Sequence, residues 1–521
     1  GQPGRRMKLS TLTDGLAIDP ASRGNRTADP EVTAICYDSR RATPGCLFVA
    51  IDGFARDGHG FIADAVNKGA VAVVCSKPVD AEAVVVRTAD PRAALARMAC
   101  RFYGFAADSM CLIGVTGTNG KTTVTYLLEG MLEKAGCRPG IVGTVNCRFA
   151  GRTVDSAVTT PESLELQAML RQMADAGVTH VVMEVSSHAL DLHRVDGCRF
   201  DAAVFTNLTQ DHLDHHGTMD RYWSCKQRLF FEHLKPVDAD HRVRAVVNIA
   251  DPKGRALARR LGKGAWRTAV EGRADIYPVT INCDLAGIAG RLATPAGPID
   301  FHTPLVGDFN LANLLSAAGA ALAVGLPPAA ITAGIDAIGC VPGRLERIAG
   351  SPQRPVFVDY AHTPDALENA IAALRTLTPG RLITVFGCGG DRDHTKRPIM
   401  GAIAARLSDL AVVTSDNPRS EPPLAIIAEI EAGIRRFCSR RLSVDALKNG
   451  WRSEAYVVEP DRAAAIRAAI AAAGKDDAVL IAGKGHETYQ ILADRTVHFD
   501  DREVAHQVLA AASASGRLTS C

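Results

Sequence analysis

The sequence predicts an α/β protein of three domains, in which a central parallel sheet opens on a phosphate-binding loop (P-loop) and a Rossmann-like parallel sheet follows it. Three observations predict this: short apolar runs alternate with helical patterns, the stretch GVTGTNGKTT occupies residues 114–123, and six apolar runs discharge polar, glycine-rich clusters. At about 150 residues per domain, 521 residues allow three or four domains with ample core. The expected bounds are 1–107, 108–340 and 341–521.

The first block carries strands such as CLFVAI (46–51) and AVAVVC (70–75), and ends in the helical AALARMACRFYG. The second opens at CLIGV (111–115), a short buried strand. After it, Val124, Leu127, Leu128, Met131 and Leu132 recur at helical spacing. Between the two lies the candidate phosphate cradle. A strict P-loop places a glycine five positions before its Gly-Lys pair, and here that position is Val115, with Gly114 and Gly117 instead. The mechanics survive the displacement, because a strand, a small-residue loop and a helix N-terminus still aim backbone N–H groups at an anion. Lys121 adds an ammonium, and Thr122 a hydroxyl suited to a phosphate-bound Mg²⁺. The competing reading is a tight turn with an exposed lysine.

Ligands of parallel α/β folds sit outside the carboxyl ends of strands. HVVMEV ends in Glu184-Val185-Ser186-Ser187-His188, and AAVFTNL runs into Thr209-Gln210-Asp211-His212. In the third block PVFVDY leads to Ala361-His362-Thr363-Pro364-Asp365 and RLITVFG to Cys388-Gly389-Gly390-Asp391-Arg392-Asp393. LAVVTS leads to Asp416-Asn417-Pro418-Arg419, and AVLIAG to Lys484-Gly485-His486-Glu487. Together they describe a cleft.

Glu184 and His212 are metal-ligand types, and an O/N set beside phosphate suits Mg²⁺ or Mn²⁺ more than zinc. Either could instead be a cap or a satisfied loop residue. Arg392 and Arg419, in tight loops, fit two-point capture of a carboxylate; the alternative is surface pairing with Asp391, Asp393 or Asp416. His362 and His486 titrate near neutrality in principle, but structural roles are the commoner use of such histidines. No G-x-S-x-G elbow accompanies a triad and no G-x-G-x-x-G opens a helix, so hydrolase and dinucleotide readings lack support.

Basic and acidic residues nearly cancel, 59 against 57, which argues against a nucleic-acid partner. The fourteen cysteines include no Cys-x-x-Cys pair, so neither a zinc ribbon nor a thioredoxin-like site is indicated. Such usage fits reduced thiols in the cytoplasm. Arg5 and Arg6 have no apolar run behind them, and the alanine-rich segment from Ala317 is broken by Pro327 and Pro328. Neither a signal peptide nor a membrane span is expected. Residues 1–6 precede Met7.

The combination of TGTNGKTT, TTPE (159–162), MEVSSHAL, FTNLTQDHLDHHG, GDFNLAN, GRLER, DYAHTPD and GCGGDRD resembles the Mur ligases of peptidoglycan synthesis, over nearly the whole chain from Met7. The displaced glycine is a trait of that family. The resemblance implies ATP-dependent amide-bond formation through an acyl phosphate, by a cytoplasmic monomer. Gly117, Thr118, Asn119, Gly120, Lys121, Thr122 and Thr123 would hold the phosphates of ATP, with Asn313 on adenine and Arg344 and Asp359 approaching from the third block on domain closure. Two Mg²⁺ sites are implied, one at Thr122 and one at Glu184 and His212. Lys226 matches a position carried as a CO₂-derived carbamate, which ligates metal where a bare surface lysine does not.

The first block would bind the UDP-sugar end of UDP-MurNAc-L-Ala-D-Glu through Ser39, with Thr159, Thr160, Ser186 and Arg194 placing the muramoyl dipeptide. Where some members have glutamine two residues before that arginine, this chain has Leu192, whose backbone alone can serve. The DNPR loop, 416–419, points to the members that add meso-diaminopimelate. That amino acid carries a carboxylate which lysine lacks, and leaving it unpaired in a closed cleft costs roughly several kcal/mol. Arg392 and Arg419 would pair with it, alongside Asp416, Asn417, Pro418, Gly483 and Glu487. Alternatives are a lysine-adding Mur ligase, a folylpolyglutamate synthetase-like ligase, which should lack DSRRATPG and DNPR, and a nucleotide-regulated binding protein without turnover.

Overall fold

In the computed structural model the described residues are 6–19, 28–53, 56–156, 158–236, 243–350 and 354–514. Of the stretch ahead of Met7, residues 1–5 lie outside them. The chain divides into two compact units. One comprises residues 1–116, 136–204 and 220–245, the other 117–135, 205–219 and 246–521.

The first unit contains two larger sheets besides the antiparallel pair Met7–Lys8/Glu31–Val32. In the N-terminal one, Ala34–Cys36, Cys46–Val49, Ala72–Cys75 and Val84–Arg87 pair in that order, all parallel. Its strands are apolar on both faces, as a sheet covered on both sides requires. Leu47, Val49, Ala72 and Val74 pack with Leu95, Met98 and Phe102 of the helix Pro91–Phe102. Phe48 and Val73 pack on the other face with Ile62 and Ala65. The helix starts at Pro91 because Asp90 caps it, accepting from the Ala93 N–H at 3.0 Å.

In the second sheet of this unit, His180–Glu184 lies between Pro139–Val142 and Cys111–Thr116, parallel to both. Ala202–Phe205 stands beyond Cys111–Thr116, and the antiparallel hairpin Asn146–Phe149/Arg152–Asp155 extends the opposite side. Expected strands are trimmed at their ends: the first-block runs form only Cys46–Val49 and Ala72–Cys75, LAVVTS only Leu410–Val413, and AAVFTNL only Ala202–Phe205. In the last case Thr206 and Asn207 are drawn off to brace the phosphate loop.

In the second unit the helix Lys121–Lys134 packs on Asp308–Ala323 and Pro328–Asp336. A side chain at Gly334 would stand 2.4 Å from Met131 Cα, so the close crossing needs glycine there. The strands Tyr277–Asp284, Gly287–Ala293 and Ile299–Thr303 form an antiparallel sheet within a block read as parallel. The seven-stranded sheet runs Glu346–Ile348, Val356–Asp359, Ala478–Ala482, Leu382–Phe386, Leu410–Val413, Ala455–Val458, Arg440–Leu442. Only the first pair is antiparallel. Parallel register brings the carboxyl ends of four adjacent strands, at Asp359, Ala482, Phe386 and Val413, to one edge, as the polar clusters predict.

Among the described residues every cysteine is a free thiol, and no helix is long and apolar enough to cross a membrane. Leu480, wholly buried in the central strand Ala478–Ala482, packs into the core on one face of the seven-stranded sheet. Leu480→Ala is expected to cost about 2–5 kcal/mol, read as a lowered denaturant midpoint for that sheet.

Candidate functional site

The phosphate loop is shaped by its neighbours in the second unit. Gly117 has φ 147° and Gly120 φ 87°. A Cβ on Gly117 would stand 1.9 Å from Thr206 Oγ1, and one on Gly120 2.2 Å from Asn313 Oδ1. Glycine is therefore needed at 117, two residues later than the strict pattern puts it, whereas Val115 is a buried strand residue in register with Glu184. Asn207 fixes the loop: its carbonyl accepts from the Thr118 N–H and its side-chain oxygen from the Asn119 N–H, both at 2.9 Å. Thr206 Oγ1 donates to the Asn119 carbonyl at 2.6 Å. The helix starts on Gly120 with no side-chain cap, an arrangement that directs backbone N–H groups and the positive dipole end at an anion.

Lys121 folds back over this loop, donating to the carbonyls of Gly117 at 2.9 Å and Thr118 at 2.7 Å. Thr122 and Thr123 are buried in the first turn. Arg344 donates to Thr122 Oγ1 at 3.1 Å and lies over the Tyr360 ring. Asp359 accepts from the Leu345 N–H at 2.7 Å, and burial, opposed by Arg344, pushes its carboxyl up to about 6. Asn119 Nδ2 donates at 3.0 Å to Asp365, the residue that closes the DYAHTPD run.

His212 is exposed, has φ 54°, and sits with Nε2 3.3 Å from Asp211. Burial pushes the Asp211 carboxyl up, but His212, His362 and Lys121 pull it below its ordinary value. His362 is partly buried with Nδ1 2.8 Å from the Tyr360 carbonyl, and desolvation together with Lys396 lowers its pKa. His486 is pushed down to about 3 by burial and then by Arg344. Both shifts favour the neutral ring, and a group titrating near 3 is a weak base, which argues for the structural reading.

Along the sheet edge Arg392 is exposed and Arg419 partly buried. A Cβ on Gly389 would touch both, 2.9 Å from Arg419 Nη1 and 3.8 Å from Arg392 Cγ. Neither guanidinium lies within ion-pair distance of a carboxylate among the described residues, so the expected alternative of pairing with Asp391, Asp393 or Asp416 is not realised. Asp416, Asn417, Pro418 and Gly483 are buried, and Asp416 Oδ1 has no hydrogen-bond partner. Asn417 and Glu487 are joined at 2.9 Å, and Lys484, wholly buried, donates to both at 3.2 and 2.9 Å.

Two buried groups behind this edge escape sequence reasoning. Arg462 and Asp501 form a two-point pair at 2.7 Å with no exposure, and Arg462 also donates to the carbonyls of Ser415 and Ala482. The guanidinium thereby ties the start of the DNPR loop to the start of the GKGHE loop. The two residues are 39 positions apart, and nothing local marks them as partners.

In the first unit Glu184, Thr159, Thr160, Ser186 and Arg194 form one hydrogen-bonded group. Glu184 is buried and accepts from the Thr144 N–H at 3.0 Å and hydroxyl at 2.9 Å. Thr144 also reaches Thr159 at 3.1 Å. Thr160 Oγ1 donates to the Glu184 carbonyl and accepts from the Ser186 N–H. Arg194 donates to the Thr160 carbonyl at 3.0 Å. The Leu192 N–H already donates to His188. Ser39, in the turn Ser39–Arg41, is buried and its carbonyl accepts from Lys68. Lys226 is buried, 1 % exposed, with Nζ 4.5 Å from the centre of the Tyr222 ring. A surface lysine is therefore excluded.

The depressed His486 has a consequence for stability. Below its ordinary value of 6.5 and above about 3 the unfolded imidazole is protonated and the folded one is not, so folding loses stability as pH falls through that window. His486→Gln should show a shallower fall of the denaturation midpoint between those pH values; an unchanged slope would contradict a neutral, partly buried ring.

Residues 31–103 match the model described as Mur ligase family, catalytic domain, 115–321 the Mur ligase middle domain, and 343–485 the Mur ligase, glutamate ligase domain. The chain is 46% identical over 499 residues to a UDP-N-acetylmuramoyl-L-alanyl-D-glutamate--2,6-diaminopimelate ligase of Geobacter metallireducens, covering 95% of this chain and 97% of that one. It is 47% identical over 507 residues to the ligase of the same name from Gloeobacter violaceus, covering 96% and 98%. A solved structure of a ligase of that name superposes with TM-score 0.64 at 30% identity, covering 92% of this chain and 95% of that one. A Mycobacterium tuberculosis folylpolyglutamate synthase shares the fold, with TM-score 0.59 at 19% identity over 83% of this chain and 95% of that one. Matched along three successive segments and to full-length relatives, the chain belongs to the Mur ligase family.

Proposed function

We propose that the chain joins meso-diaminopimelate to UDP-N-acetylmuramoyl-L-alanyl-D-glutamate at the expense of ATP, releasing ADP and phosphate, in the cytoplasmic synthesis of peptidoglycan precursors. The observation that carries this reading is the pair Arg392 and Arg419 beside Gly389, two guanidinium groups with no carboxylate within ion-pair distance among the described residues. Such a pair suits an amino acid with a second carboxylate, which lysine lacks. The relatives' names specify the same amino acid.

The chemistry follows from the substrates. An amine cannot expel oxide from a carboxylate, so the D-glutamyl carboxylate oxygen first attacks the γ-phosphorus of ATP and the bond to the β-phosphate oxygen breaks. The amine nitrogen then attacks the acyl carbon, a proton leaves the nitrogen, and the C–O bond of the tetrahedral intermediate breaks with phosphate as leaving group. Residues 117–123 hold the triphosphate through backbone N–H groups, and Lys121 stabilises charge on the transferred group. Asn313, Arg344 and Asp359 take the rest of the nucleotide. Ser39 meets the uridine end, while Thr159, Thr160, Ser186 and Arg194 orient the muramoyl dipeptide. Asp416, Asn417, Pro418, Gly483 and Glu487 hold the amino acid with the two arginines. Residues 1–107, 108–340 and 341–521 are accordingly assigned to UDP-sugar, ATP and amino acid.

The donors suit magnesium, with the Thr122 hydroxyl in the first turn of its helix and the Glu184 carboxylate held by Thr144. Thr122 would hold one ion, and Glu184, His212 and Lys226, as a carbamate, the other; bound magnesium supplies positive charge to phosphate oxygens. Burial of Lys226 fits a modified side chain better than a solvated ammonium.

The direct test supplies ATP, the muramoyl dipeptide and a panel of amino acids, and weighs the product. A tripeptide with meso-diaminopimelate is expected; equal turnover with L-lysine would overturn the specificity, and no phosphate release with any amino acid the ligase reading itself. Lys121→Ala should lower turnover about 10²-fold or more, measured as phosphate release. Lys226→Ala should lose activity that acetate partly restores, by standing in for the carbamate, and full activity without acetate would refute that role.

A further inference from the structure

Behind Arg392 and Arg419 lies a second, buried guanidinium that holds their two loops together. Arg397, in the first turn of the helix Lys396–Leu407, has no exposed side-chain surface. Its Nη2 donates to the Gly389 carbonyl at 3.1 Å and to Glu421 Oε1 at 2.8 Å, and its Nη1 to Glu421 Oε2 at 2.9 Å and Glu429 Oε2 at 3.2 Å. Nη1 also lies 2.9 Å from His394 Nδ1. Glu421 in turn accepts from the Asp391 N–H.

The carbonyl of Gly389 belongs to the loop of Arg392, and Glu421 follows two residues after Arg419. One planar fork therefore grips both loops. Further bonds run directly between them: the Gly390 N–H donates to the Asn417 carbonyl at 2.9 Å, Arg419 Nη1 to the Gly390 carbonyl at 2.8 Å, and the Ser420 hydroxyl to Asp391 at 2.7 Å. The approach is so close that a Cβ on Gly390 would fall 1.9 Å from the Pro418 carbonyl oxygen. Asp391 and Arg419 both adopt left-handed backbone, φ 53° and 52°, a conformation that non-glycine residues hold only when surrounding contacts impose it. The arrangement joins two loops at the edge of the sheet, outside the cores on its two faces, and so fixes the backbone that carries Arg392 and Arg419.

We propose that Arg397 and Glu421 are positioning residues for amino-acid selection, holding the Arg392 and Arg419 loops at the separation that receives the distal carboxylate. This rests on the reading of Arg392 and Arg419 as the carboxylate's partners. Lysine at 397 keeps the charge but loses the fork, so it cannot grip Gly389 and both oxygens of Glu421 together. Glutamine at 421 keeps the shape and loses the charge-assisted pair.

The test measures KM for meso-diaminopimelate, ATP and the muramoyl dipeptide separately in Arg397→Lys and Glu421→Gln. KM for meso-diaminopimelate should rise about tenfold or more, since a misplacement of about 1 Å can cost ~10²-fold. KM for the other two substrates should stay within about twofold, and the preference for diaminopimelate over L-lysine should fall. An unchanged KM for diaminopimelate, or a parallel rise for all three substrates, would overturn the inference. Should Arg397→Lys fail to fold, Glu421→Gln, at a partly exposed position, decides alone. Arg419→Ala separates the two levels: if it raises KM for diaminopimelate while the positioning variants do not, only this inference falls, and if it has no effect, the carboxylate reading falls with it.

Discussion

The tie between the loops that carry Arg392 and Arg419, neither in an ion pair with a carboxylate among the described residues, is the constraint around which the C-terminal sheet edge is organised. Arg392 is exposed and donates to the Asp391 carbonyl, and Arg419 is partly buried and donates to that of Gly390. The loops are not free: backbone bonds cross between Gly390 and Asn417, and Asp391 accepts from Ser420. Behind them, Arg462 ties the DNPR loop to the GKGHE loop through the carbonyls of Ser415 and Ala482 while Asp501 neutralises it. A buried ion pair is weak evidence for stability by itself. Here its geometry matters more than its energy, because it fixes where two strand ends meet. Parallel register supplies the rest by bringing those ends to one edge.

The same logic of close approach explains the phosphate loop. Thr206 and Asn313 press on it where Gly117 and Gly120 lie, so the glycines follow from packing against those neighbours and not from a fixed pattern. A search for the strict pattern therefore fails on a loop whose physical parts are all present. Thr206 and Asn207 leave their strand to brace that loop, which is why Ala202–Phe205 is shorter than its apolar run.

Much of this was legible in residue order. Strand positions followed from apolar runs, and the site from what stands at their carboxyl ends, since a polar, glycine-rich cluster after a buried strand has few other uses. What was not legible depends on distance in space. Burial of Lys226 turns on its helix packing, because its own neighbours read as a polar surface. The pairing of Arg462 with Asp501 links segments with no shared local signal. The antiparallel sheet at 277–303 was hidden because exposed strands with alternating polarity look like loop when parallel, buried strands are being sought. His486 reads as a neutral-pH titrating group until its burial beside Arg344 is seen.

Selection of a second carboxylate by the arginine pair is the central claim. The most direct measurement is a crystal structure with the meso-diaminopimelate-containing product bound. It should place the distal carboxylate within hydrogen-bond distance of Arg419, with Arg392 alongside. A carboxylate turned to solvent, or paired elsewhere while both arginines stay unengaged, would contradict it.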